Sequence, residues 1–162
     1  MIGSSGWTAG ELVVDGERVI HPGLTEDPLR TSKFYTLYFH SARSMGNGYE
    51  WFYFNEVPLM DESVFVSICF QAGKLYTVEL SVQGEQFPTS WDNWTVEGER
   101  RRYEKHRNML ERALCLKPNH EQERPYPYLE YQMGWGNITS YQDPRSGSTA
   151  IAFSFTWRDN NS

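Results

Sequence analysis

The chain predicts an α+β fold: a twisted antiparallel sheet of about six to eight strands with one main helix packed on one face. Two patterns carry that reading. Residues 63–70 and 74–82 alternate, with Val64, Val66, Ile68 and Phe70 on one face of the first and Tyr76, Val78, Leu80 and Val82 on one face of the second. Ala72-Gly73 turns the chain between them. Residues 91–118 form the one long charged segment among otherwise short strands, with Val96, Tyr103, Leu110, Ala113 and Leu114 on a single stripe at helical spacing.

The remaining elements follow from local chemistry. Leu12, Val13 and Val14, then Asp15-Gly16, then Arg18, Val19 and Ile20 spell a hairpin, because Asp-Gly supplies the positive φ angles of a type I′ turn. Residues 21–33 carry Pro22, Gly23 and Pro28 and read as a loop with at most one helical turn around 25–29. Residues 34–40 and 49–55 read as strands that are aromatic on both faces, separated by Gly46-Asn47-Gly48, and Val57-Pro58 marks a break. The helix begins between Ser90 and Thr95, each able to cap it, and Trp91 with Trp94 is expected to staple its start to the sheet. Gly98 weakens the first turns and Pro118 ends the element. Residues 119–128 form a polar loop, and residues 131–141 and 148–157 form the closing strands around Asp143-Pro144-Arg145-Ser146-Gly147, a turn sequence. A length of 162 residues suits one domain over 1–162, with residues 1–10 flexible.

Charge and composition narrow the function. With 21 acidic against 15 basic residues the net charge is −6, which argues against nucleic-acid binding because phosphate neutralisation needs a basic footprint. No run reaches the roughly 18 to 20 apolar residues of a membrane span. The start of the chain shows no basic and apolar leader, so a cytoplasmic location is expected, with Cys69 and Cys115 as reduced, buried thiols. Aromatic residues make up 15% of the chain, an excess that suits both strands and contact surfaces.

Catalytic constellations are faint. His21, His40, His106 and His120 share no metal-ligand spacing with Cys, Asp or Glu, so no metal and no cofactor is expected. His106 borders the apolar stripe and reads as a packing residue. The carboxylates Glu97, Glu99 and Glu104, interleaved with Arg100, Arg101 and Arg102, read as solvated helix pairs. Cys69 lacks the flanking glycines of a nucleophile turn.

The residues Trp91-Asp92-Asn93-Trp94 with the charged helix, then Trp135-Gly136, Ile138, Ser140, Asp143-Pro144-Arg145-Ser146-Gly147-Ser148 and Ile151, resemble a class of small bacterial proteins of unknown function. Such proteins are similar in size, charge and style to immunity proteins of bacterial toxin systems, which implies a protein that binds rather than catalyses. The expectation is a non-enzymatic cytosolic binding protein, an immunity-type inhibitor of a basic protein toxin, acting as a monomer or homodimer. Tyr126, Tyr128, Tyr131 and Trp135 are the candidate anchors and Glu121, Glu123 and Glu130 the acidic rim that steers a basic partner. Two alternatives stay open: a small-ligand carrier with an aromatic-lined pocket between 34–40 and 49–55, or an enzyme built on His106 and a carboxylate.

Overall fold

The computed structural model describes residues 6–84 and 95–156. It opens with a 3-10 turn (Trp7–Ala9), a hairpin, β1 (Leu12–Val14) and β2 (Glu17–Ile20), and two short helices, α1 (Glu26–Arg30) and α2 (Lys33–Tyr38). Strands β3 (Phe39–Ser44), β4 (Tyr49–Leu59), β5 (Glu62–Gln71) and β6 (Lys74–Val82) follow, then the main helix α3 (Val96–Leu114). Four strands close the fold: β7 (His120–Gln122), β8 (Tyr128–Met133), β9 (Gly136–Gln142) and β10 (Thr149–Phe155). The last eight strands make one open antiparallel sheet in the order β3-β4-β5-β6-β10-β9-β8-β7. The α+β class and the antiparallel sheet with one main helix are therefore as expected.

Period-two alternation builds the core. Directly opposed pairs such as Phe52↔Ile68, Val66↔Leu80, Leu80↔Ile151 and Phe153↔Ile138 run one apolar face across the sheet. Helix α3 lies on this face over β6, β10 and β9, and buries Tyr103, Met109, Leu110, Ala113 and Leu114. Helix α2 covers the other half, with Phe34 against Phe54 at 4.6 Å between ring centroids. Near the chain start, Trp7 is 1% exposed and meets Phe153 edge-on at 5.3 Å. The chain is thus anchored from Gly6 onward, where a flexible lead-in was expected.

Several local expectations change. Residues 34–38 are helical, not extended. Ser32 caps α2 by accepting the Tyr35 N–H at 3.1 Å, and the helical spacing brings Tyr35 onto Phe39, stacked at 4.4 Å. Strand β4 runs through Val57-Pro58 because the register shifts between Phe54 and Val57, where Glu56 takes φ 52° and donates its N–H to Gln83 Oε1 at 2.8 Å. Asp15 (φ 54°) and Gly16 (φ 81°) make the two-residue turn of the β1–β2 hairpin as read. In α3, Thr95 is the cap, accepting the Gly98 N–H at 2.9 Å, while Val96 is 64% exposed and lies off the apolar stripe. Trp91, Trp94 and Trp157 lie outside the described residues. Cys69 is buried but Cys115 is exposed, closing α3 with φ 54°.

Gly136 is the tightest backbone site. A Cβ there would stand 2.0 Å from the Ser154 carbonyl oxygen of the paired strand. Gly136→Ala is expected to lower stability by roughly 2–3 kcal/mol, as overpacking of a fixed backbone does, while Gly134→Ala, with open space at its Cβ, changes little. Urea midpoints of the two variants check this. Equal midpoints would remove the constraint.

Candidate functional site

The two faces of the sheet differ. Both short helices, α3 and the β1–β2 hairpin pack on the face that carries Phe52, Val66, Leu80, Phe153 and Ile138. The opposite face carries the other parity of each strand. On β4 and β5 this parity holds Tyr49, Trp51, Tyr53 and Phe65, all half-buried. The Trp51 and Tyr53 rings are parallel to within 2° at 6.2 Å, Tyr53 lies 6.4 Å from Phe65, and Tyr49 meets Tyr76 edge-on at 5.4 Å. On β10 and β9 the same face holds small side chains, Ala150, Ala152, Ser154 and Thr139.

One cross-strand row traverses this face through Tyr53, Ser67, Glu79, Ala152, Thr139 and Glu130. Glu79 sits near its middle, half-buried, within 3.5 Å of the Tyr141 hydroxyl, which donates to it. Burial raises the Glu79 carboxyl above its usual range, and the Tyr141 hydrogen bond opposes that rise. Tyr141 in turn is pushed up to about 12, first by burial and then by the Glu79 charge.

The predicted contact residues divide between the faces. Tyr128 and Glu130 belong to the open face, where the Tyr128 hydroxyl donates to Glu130 Oε1 at 2.6 Å and Gln132 Nε2 donates to Oε2 at 3.0 Å. These two hydrogen bonds, Tyr128 first, hold the Glu130 carboxyl low, while burial and then Glu130 push the Tyr128 phenol up to about 12. Tyr131 is three residues beyond Tyr128 on the same strand, so it points the other way and is 2% exposed in the core. Trp135 also packs inward, on Phe153 and Phe155 at 5.9 and 5.0 Å, and its Nε1 donates to the Thr8 carbonyl at 2.8 Å, tying the chain start to the sheet. Tyr131 is a core residue and leaves the candidate surface, while Trp135 is half-buried at the edge of the core, on the covered side of the sheet. Tyr126 and Glu123 are exposed near the β7–β8 edge, and Glu121 is drawn toward α3 by Arg107 at 2.9 Å. The residues that sequence reading missed are Trp51, Tyr53, Phe65, Glu79 and Tyr141. Alternation assigned their parity, but the choice of covered face depends on where the helices dock.

A second polar group lies under α3. Glu99, Arg102 and His106 are 2%, 3% and 1% exposed, so this part of the helix is not the solvated charge face expected. Arg102 Nη1 donates to Glu99 Oε2 at 2.5 Å and its Nε donates to the Val82 carbonyl at 3.3 Å. His106 Nε2 accepts the Val82 N–H at 3.1 Å, so the ring hydrogen resides on Nδ1, which has no partner. Burial, then the Arg102 charge, holds the imidazole down to about 3. A neutral, enclosed ring bonded to the end of β6 fits a packing role and makes a weak base.

Elsewhere, a cavity of about 260 Å³ lies between the hairpin and α2, lined by Val14, Asp15, Glu17, Lys33, Phe34 and Leu37. Its charged rim and its position differ from the aromatic enclosure expected of a carrier. The Asp143 turn is held by its own backbone, with Arg145 N–H donating to Asp143 Oδ1 at 2.8 Å and Gly147 N–H to the Asp143 carbonyl at 2.7 Å. Among the described residues no cluster of three or more His, Cys, Asp or Glu is placed to hold a metal ion, and no helix is long and apolar enough to cross a membrane. No protein-family model, curated protein or solved structure matches the chain.

Proposed function

We propose that this chain is a non-enzymatic binding protein of the immunity type, which holds a basic protein partner on the open face of its sheet. The observation that supports the reading is the aromatic face itself: Trp51, Tyr53 and Phe65 on one flank, Tyr141 and Tyr128 on the other, and small residues between. Aromatic side chains give large contact area at little entropic cost, and they dominate binding energy where they cluster. The acidic balance of the chain, with Glu79 and Glu130 on this face, favours a basic partner and its fast capture. A cytoplasmic location belongs to the same proposal.

The test is to read the genes that flank this one and to co-express the chain with a toxin-like protein that they encode. The wild type is expected to relieve growth arrest and to form a complex in solution. Trp51→Ala with Tyr128→Ala should weaken that complex roughly tenfold or more, with native far-UV circular dichroism. Neither side chain belongs to the fully buried core, so folding should survive. Absence of a complex, or one indifferent to both substitutions, would remove the proposal.

A further inference from the structure

Away from the β4 bulge that carries Glu56, Glu79 is the carboxylate that β4, β5, β6 and β10 place on the open face, and its immediate surroundings are unusual. Its cross-strand neighbours are Ser67 and Ala152, and its same-strand neighbours on that face are Thr77 and Ser81. All four are short. The tall side chains stand one position further out: Tyr53 beyond Ser67, Phe65 opposite Ser81, and Tyr141 beyond Ala150. The carboxylate therefore lies half-buried within an aromatic rim, over the buried side chains of Ser67, Thr77 and Ala152. The cations on this face are peripheral, Arg43 on the edge strand and Lys74 at the β5–β6 turn.

We infer that this carboxylate and its rim form a cation-recognition site that takes an arginine side chain of the partner. A guanidinium group offers paired N–H donors that match a carboxylate edge, and its flat face stacks on aromatic rings. The rim supplies those rings. Tyr141 donates a long hydrogen bond to the carboxylate at 3.5 Å, which leaves acceptor capacity for a stronger donor. The identity of the cation's source rests on the proposed partner-binding role of this face; the carboxylate and its aromatic rim do not.

The experiment is an NMR titration of the isotope-labelled full chain with Nα-acetyl-arginine methylamide and, separately, with its neutral citrulline counterpart. The expected result is saturable shifts of the Glu79, Ser67 and Ala152 amides and of the Trp51 indole with the arginine probe. The citrulline probe should bind about tenfold more weakly or worse. Glu79→Gln should abolish the response while the amide spectrum stays native. Ala150→Leu, which adds bulk beside Tyr141 at the rim and keeps the carboxylate, should weaken it as well. Equal binding of the two probes, shifts confined to other parts of the molecule, or an undiminished response in either variant would overturn the inference. A toxin partner that binds wild type and Glu79→Gln equally would also overturn it, yet leave the binding face intact. Arginine-probe binding at Glu79 with no partner complex would support this site and defeat the immunity reading instead.

Discussion

Arg102→Met should cost about 3–5 kcal/mol of stability, because it leaves the Glu99 carboxylate buried with its main counter-charge gone. The loss is larger than the methylene count suggests, since methionine fills much of the same space. What disappears includes the donor to Glu99 and the Nε hydrogen bond to the Val82 carbonyl. Among the described residues Glu99 Oε1 has no hydrogen-bond partner, so the carboxylate is already one donor short. Adding Glu99→Gln to Arg102→Met should recover a substantial part of the loss, because a neutral amide is much less costly to bury than an ion. Urea denaturation of both single variants and the pair closes the cycle. A single Arg102→Met within about 1 kcal/mol of wild type would mean that the pair is hydrated, contrary to its burial.

That pair also marks where sequence reasoning stopped. The spacing Glu99 to Arg102 is the spacing of a solvated helix pair, and nothing local distinguishes the two settings. The difference arises because α3 passes over the end of β6, where the Val82 backbone needs both a donor and an acceptor and takes them from Arg102 and His106. By contrast, the β5–β6 pairing and its Ala72-Gly73 turn were legible, but a register shift at Cys69/Phe70 flips the start of β6, so that Leu75 is buried and Tyr76, expected on the face of Val78 and Leu80, stands exposed beside Tyr49. Residues 34–38 were ambiguous for the opposite reason. An apolar aromatic run supports strand and helix equally, and only the Ser32 cap points to helix. The candidate site was half legible. Parity along β8 separates Tyr128 and Glu130 from Tyr131, and the same rule groups Trp51 with Tyr53. Which of the two parities stays open is decided by long-range docking of α2 and α3, and no local pattern encodes it.

Acidification from neutral pH to pH 4 should remove on the order of 3 kcal/mol of stability through His106 alone. In the fold its imidazole titrates at about 3, against 6.5 in the open chain. The unfolded state therefore binds the proton first. The stability is fully present above about 6.5 and is lost as pH falls through 6.5 toward 3. Glu79 acts in the opposite sense: its raised carboxyl pKa makes the folded state the better proton acceptor, so its contribution declines as pH rises from the ordinary 4.5 toward the raised value. The two groups cannot be separated by wild-type data, and His106→Gln separates them. Glutamine keeps an oxygen able to accept the Val82 N–H but does not titrate. Its urea midpoint should lack the slope that the wild type shows between pH 6.5 and 4, the difference approaching one proton. Parallel curves for the two proteins would place the charged imidazole in water and so undo the packing of α3 against the end of β6.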